Sequence, residues 1–351
     1  MKTPIRLAAL LLLSTLNSQL STAFAQGSLT PPGAPAPTMK SLDEVYSKLD
    51  PRTPIASAPF TISAPGSYYL TTNLTVATGD AITIATNGVT LDLNGFTISS
   101  TAASATGTGI LFTSGRSGVH IFNGFIIGGV TVSAGVYSGS GFSDGITYNG
   151  FSPVNVRVAG VLVSGCFSSG IDIASVDSTV VESCTVKTVG SYGITAGSVT
   201  RCAALECGIS GITAKTASDC SGQSGSGHGI YASTANNCVG VSDAGIGLLA
   251  DAANNCFGGS SSSHGVDASS ANNCYGYSGQ NRGVQADVAT SCKGYCGGGS
   301  YGLYATWIAN TCYGYSVSGT GLHAYIANSC FGQNGGGNAM LIDHPYNMPY
   351  P

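Results

Sequence analysis

Residues 229–242 read GIYASTANNCVGVS. The phrase returns as GLLADAANNCFGGS at 247–260, GVDASSANNCYGYS at 265–278 and GVQADVATSCKGYC at 283–296. Two further copies follow, GLYATWIANTCYGYS at 302–316 and GLHAYIANSCFGQN at 321–334. Cysteines mark the period: Cys166, Cys184, Cys202, Cys220, Cys238, Cys256, Cys274, Cys292, Cys312 and Cys330, with every interval 18 residues except the 20 between Cys292 and Cys312. The glycine that opens each copy keeps the same step, at 193, 211, 229, 247, 265 and 283, and then moves by 19 to 302 and 321. A short fixed period describes a chain that coils, each turn stacked only on its neighbours. The long interval therefore reads as a corner insertion within a continuing coil. Eighteen residues make a small cross-section, whose interior has room mainly for small side chains; two Ala and one Cys per turn satisfy that demand.

Upstream the β pattern is looser. NGVTLDLNGFTI (87–98) alternates Val89, Leu91 and Leu93 with polar residues, and SGVHIFNGFIIGG (117–129) repeats the style. Asn-Gly pairs at 87–88, 94–95, 123–124 and 149–150 supply corners that need positive φ. On these segments the chain, over roughly residues 55–335, resembles the right-handed parallel β-helix repeat proteins of the pectate-lyase-like group. The resemblance implies an all-β, single-stranded parallel β-helix, a right-handed solenoid with ~18-residue turns. It does not imply a chemistry.

Residues 1–25 read as a signal peptide: Lys2 and Arg6, then unbroken apolar Leu7–Leu13, then Ala23-Phe24-Ala25. Cleavage near Ala25 would place the mature protein in a secreted, periplasmic or cell-surface location. Residues 26–54 hold a Pro-rich linker and a short N-terminal capping helix over 41–49, begun by the Ser41/Glu44 capping box, suited to cover an open sheet edge. Residues 55–155 are the N-terminal β-helix turns, 156–336 the regular Cys/Gly-ladder turns and 337–351 a C-terminal tail. Only 8% of residues are charged, net charge is −4 and no basic cluster exists, which argues against nucleic-acid partners. No apolar run is long enough for a membrane span.

The cysteine ladder admits free buried thiols or bridged rungs. Stacked rungs keep their Cβ vectors parallel at about 4.8 Å, longer than a relaxed bridge wants, which favours free thiols. A straight stack does not converge on a tetrahedral metal. Cys207 and Cys296 stand off the ladder, and Cys202–Cys207 or Cys292–Cys296 are possible local bridges. Asn236, Asn254, Asn272, Asn310 and Asn328, with Asn237, Asn255 and Asn273 beside them, form amide columns of the kind that bond from rung to rung.

If Cys faces inward, the residues one and three places later face out. These are Phe257, Tyr275, Tyr277, Tyr295, Tyr313, Tyr315 and Phe331. An exposed aromatic row binds sugar rings or partner surfaces; its plainer use is to brace neighbouring strands. His228 in Ser226-Gly227-His228-Gly229 matches a fragment of the polygalacturonase pattern, but His264 recurs at the same turn position, which favours a corner role. No Asp-Asp pair or basic substrate clamp accompanies it. Asp251, Asp267 and Asp287 are too loosely spaced for a calcium site. No catalytic residue, metal or cofactor is expected. The reading is a structural, adhesive or carbohydrate-binding surface for a polysaccharide or cell-surface glycan, with a polysaccharide lyase or glycoside hydrolase as the alternative. An ice- or crystal-surface binder would need a Thr array that is not in register.

Overall fold

The computed structural model describes residues 50–344, together with Val45. Apart from Val45, the capping helix expected at 41–49 lies outside the described residues. The coil belongs to the unit that begins at Arg52. Of its strands, 31 join one continuous sheet and two form a separate hairpin. Every pairing within the large sheet is parallel and runs to the next turn, as Ile212 with Ile230, Ile230 with Leu248 and Leu248 with Val266. The architecture is the all-β parallel solenoid that the repeat predicts.

Turn length falls along the chain, and core residues shrink with it. Leu91 pairs with Ile121 30 residues on, and Val158 with Val181 23 residues on. Val181 pairs with Val199 at 18, and the regular register holds from there to Val284. The wide early turns enclose Phe112, Phe142, Leu91, Leu93 and several Ile, all fully buried. A regular turn has one large apolar side chain, the residue after the opening glycine: Ile230, Leu248, Val266, Val284, Leu303 or Leu322.

Each regular turn has three sides. In the turn from Gly229, Ile230 and Ala232 point inward, the chain bends at Ser233, Ala235 points inward from the second side, and Cys238 begins the third. The second corner is the residue before each Cys. Arg201, Asp219, Asn237, Asn255, Asn273, Ser291, Thr311 and Ser329 all take φ between 51° and 55° there. Asn suits that conformation best, which accounts for its frequency at the position. On the third side the inward residues are Gly240 and Ser242.

Gly240 sets the dimension of the interior. It stacks in register with Gly222 and Gly258, and the column continues through Gly276, Gly294, Gly314 and Gly332. A Cβ on Gly258 would approach the carbonyl of Gly265 on the first side closer than 3.0 Å, and the reciprocal Gly265 is equally tight against the backbone of Tyr277. Here the two sides touch backbone to backbone. The serines beside this contact are buried and donate to carbonyls across the loop: Ser224 to Ile209 at 2.6 Å, Ser242 to Gly227 at 2.6 Å and Ser260 to Gly245 at 2.7 Å. Such bonds satisfy groups that would otherwise be buried unpaired.

The 20-residue interval contains two insertions at separate places, where the sequence reading expected one at a corner. One residue lengthens the loop between Cys296 and Gly302. The other forms a β-bulge at Thr306–Trp307, where Ala286 pairs with Ala305 but Val288 pairs with Ile308. The sheet also continues past residue 337, into the stretch assigned to the tail, with Met340–Ile342 pairing to Leu322–Ala324. The two-stranded hairpin, Gly129–Ser133 with Val136–Ser140, was not foreseen. It sets Tyr137 against Gly190 and Gly208, and the Tyr137 hydroxyl donates to the Glu206 carbonyl at 3.0 Å.

Replacing Gly258 by Ala should lower stability by about 1–3 kcal/mol through overpacking, read as the urea midpoint. Gly336→Ala is the control, because nothing lies within 4 Å of its added methyl. Equal midpoints for the two variants would contradict the backbone contact.

Candidate functional site: a ring-lined groove on the third side

The ladder cysteines all face inward. Eleven of the twelve cysteines are buried, Cys330 on the last rung is half-buried, and all twelve are free thiols. No local bridge joins Cys202 to Cys207 or Cys292 to Cys296. Cys207 and Cys296 instead occupy the serine column: Cys207 pairs in register with Ser224, and Cys296 with Ser278 and Ser316. Each ladder thiol points at backbone carbonyls. Cys256 Sγ lies 3.2 Å from the Asn254 oxygen and 3.4 Å from that of Ala235, one turn back. Cys274 repeats this with Asn272 at 3.3 Å and Ala253 at 3.4 Å. The column is therefore a corner device, in which a small buried side chain also donates weakly to the backbone.

Beside it the amides bond along the axis. Asn254 donates to Asn236 at 3.1 Å and Asn328 to Asn310 at 2.8 Å; in the outer column Asn273 donates to Asn255 at 2.8 Å and Asn255 to Asn237 at 3.3 Å.

Two outward columns cover the third side. The residue after Cys gives Val239, Phe257, Tyr275, Lys293, Tyr313 and Phe331; the residue three after Cys gives Val241, Gly259, Tyr277, Tyr295, Tyr315 and Gln333. The structure brings all seven predicted aromatics onto this one face. It does not make them a uniform strip. Tyr277, Tyr295 and Tyr315 stack on one another at 5.3 and 5.1 Å with interplanar angles of 10° and 18°. The central ring thus has both faces covered by its neighbours. In the other column Phe257 leans on Tyr275 at 5.5 Å and Tyr313 stacks on Phe331 at 5.8 Å.

Lys293 interrupts that second column. It stands between Tyr275 and Tyr313, and the three surround a groove of about 460 Å³ floored by Gly294 and walled by Tyr295. Tyr275 and Tyr313 are two rungs apart, about 9.6 Å at β spacing. That gap admits one saturated ring between two aromatic faces. Lys293 is exposed and forms no ion pair among the described residues. The Tyr313 hydroxyl is held by Gln333 at 2.9 Å. The sequence reading found the rings but missed Lys293, whose signal was a lone charge in an otherwise aromatic register.

The other residues weighed from sequence lie elsewhere. Asp251, Asp267 and Asp287 line one groove of about 370 Å³ on the first side, with Tyr231, Leu249 and Gln285. Asp267 is paired to His264 at 3.1 Å. No cluster of His, Cys, Asp or Glu among the described residues fits a metal ion. His228 packs 5.9 Å from Tyr231, and burial holds it below the ordinary histidine range. No carboxylate lines the Lys293 groove.

Comparison with known proteins adds little. No family model matches the chain, and no curated protein matches it. Among solved structures, the full-length tailspike protein 2 of Escherichia coli O157:H7 bacteriophage CAB120 aligns at 10% identity with a TM-score of 0.13, over 80% of this chain and 34% of that one. At that similarity the match carries no argument about either activity or ligand. No helix among the described residues is long and apolar enough to cross a membrane.

Two measurements follow from the thiols. Native protein should resist thiol labelling, apart from slow reaction at Cys330, and should label at twelve sites once denatured. A denatured sample with almost no reactive thiol would show bridged rungs. Burial pushes Cys166 and Cys207 up to about 12, with Asp144 and Glu206 adding to the effect. In the unfolded chain these thiols titrate near 9. The folded state thus keeps protons that the unfolded state loses, so their contribution is fully present below about pH 9 and declines as pH rises toward 12. The urea midpoint should fall across that window and should fall less in Cys166→Ser.

Proposed function

We propose that this chain is a non-catalytic β-solenoid of the pectate-lyase-like kind, exported from the cytoplasm, that binds an extended glycan along its third side. The observation that carries the reading is the gap in the ring columns at Lys293. Exposed ring faces at Tyr275 and Tyr313 recognise the apolar face of a sugar, and Lys293 and the Tyr295 hydroxyl supply polar contacts. The groove is open along the axis, so a polymer passes through it where a small metabolite would be poorly enclosed. Hydrolysis of a glycoside takes two carboxylates flanking the bond. The acids nearest in register stand on a different side of the coil, so the groove supports binding rather than cleavage.

Tyr275→Ser with Tyr313→Ser should abolish binding to whichever polysaccharide a glycan array identifies, with far-UV circular dichroism unchanged. Tyr277→Ser with Tyr315→Ser should instead weaken binding mildly and reduce stability, since those rings chiefly brace one another. If both double variants bind like the parent, the aromatic columns only stabilise strands. Release of oligosaccharides on incubation would place a catalytic site elsewhere and reverse the reading.

A further inference from the structure

The β-bulge at Thr306–Trp307 has a consequence separate from the groove. Trp307 is the chain's single tryptophan. Without the extra residue the turn would bend as its neighbours do, with one outward residue between the two inward alanines, as Asp287 lies between Ala286 and Ala289. The bulge places two residues there, and Trp307 is 56% exposed. A bulge breaks a ladder hydrogen bond and re-aims a side chain. Exposing so large an apolar ring adds a further cost. Tyr325, one rung on, stands edge-to-face against Trp307 at 5.9 Å and 76°. Its position is fixed from the other side by His344, whose ring is 4.3 Å away and whose backbone N–H donates to the Tyr325 carbonyl at 2.8 Å. The two rings form an L-shaped corner open to solvent.

Asp287 lies one rung before the bulge on the same ridge, about 4.8 Å along the axis. It is exposed and makes no ion pair or side-chain hydrogen bond among the described residues. Neighbouring positions show how this region treats rings and acids. The Arg282 guanidinium lies 4.2 Å from the centre of the Tyr304 ring and 5.5 Å from that of Tyr301. His264 pairs with Asp267, and His323 with Asp343 at 3.4 Å. In each case the chain supplies a basic group to the ring or acid. At Trp307, Tyr325 and Asp287 it supplies rings and an acid without the cation.

We propose that the Trp307–Tyr325 corner, with Asp287, binds an alkylated ammonium group such as a trimethylammonium. The charge would lie over the indole face, its methyl groups would contact both rings, and the carboxylate would balance it from the preceding rung. A bulky, weakly hydrated cation fits an open apolar corner better than a simple ammonium, which keeps its water.

The lone tryptophan makes the test direct, because its emission reports this corner alone. Titration of the full mature chain with choline should give a saturable change in Trp307 emission in the millimolar range. The neutral isostere 3,3-dimethylbutan-1-ol should give none at the same concentrations. Asp287→Asn and Tyr325→Leu should each weaken choline binding about 2–5-fold, the span expected for one exposed cation–π or ionic contact. Asp251→Asn, two rungs further away, should leave it unchanged. Each variant is first matched to the parent by circular dichroism and by its unliganded emission. Flotation with phosphatidylcholine but not phosphatidylglycerol vesicles would add a lipid headgroup as a source of the same ligand. Choline binding without flotation would restrict the source to soluble compounds. An equal response to the isostere, a response to neutral sugars alone, or no response to choline would overturn the assignment.

Discussion

Backbone meets backbone once in every regular turn, and the rest of the molecule follows from that contact. With Gly240, Gly258 and Gly276 pressed against the chain at Gly247, Gly265 and Gly283, the third side lies directly on the start of the first. No side chain fits between them. The remaining interior is a narrow wedge with space for one Ile, Leu or Val, two Ala and a Cys. Stability therefore cannot come from large buried apolar area in any one turn. It comes from repetition: each rung pairs its backbone to two neighbours, and each inward column stacks like on like.

Small interiors make polar atoms hard to avoid, and the structure satisfies them in columns. The serine hydroxyls reach loop carbonyls, the thiols lie against corner carbonyls, and the Asn amides bond outside the corner from rung to rung. Cys and Ser are interchangeable where space and donor are the requirements, as Cys207 and Cys296 in the serine column show. Burial also keeps such thiols protonated and inert, which suits a structural role. With the inside committed to packing, recognition is left to the outward columns, where each position is repeated about every 4.8 Å.

Much of this was legible in the sequence. The 18-residue register of Cys and Gly sufficed for a parallel coil with small inward residues, and the parity of the third side placed Tyr275, Tyr277, Tyr295, Tyr313 and Tyr315 outside. Other features depend on geometry that a repeat does not express. Parity says that Tyr295 faces out, but not that Tyr277 and Tyr315 cover both its faces. The serine column was hidden because Ser is common in this chain and its burial is set by distance across the loop. The two insertions between Cys292 and Cys312 sum to one interval, so their separation, and the exposure of Trp307 that results, emerges only when register is traced residue by residue. The hairpin at 129–140 resembles any other strand pair in sequence, since its antiparallel sense leaves no compositional mark.

The claim on which the account rests is the separation between the inner glycine column and the strand it faces. A crystal structure of the mature protein at a resolution that defines backbone atoms measures it directly. The account predicts Gly258 packed against the Gly265 carbonyl, with neither side chain nor water between them, and the same arrangement at Gly240, Gly276 and Gly294. A layer of side chains or ordered water between those two sides, or a rung in which they diverge, would contradict it.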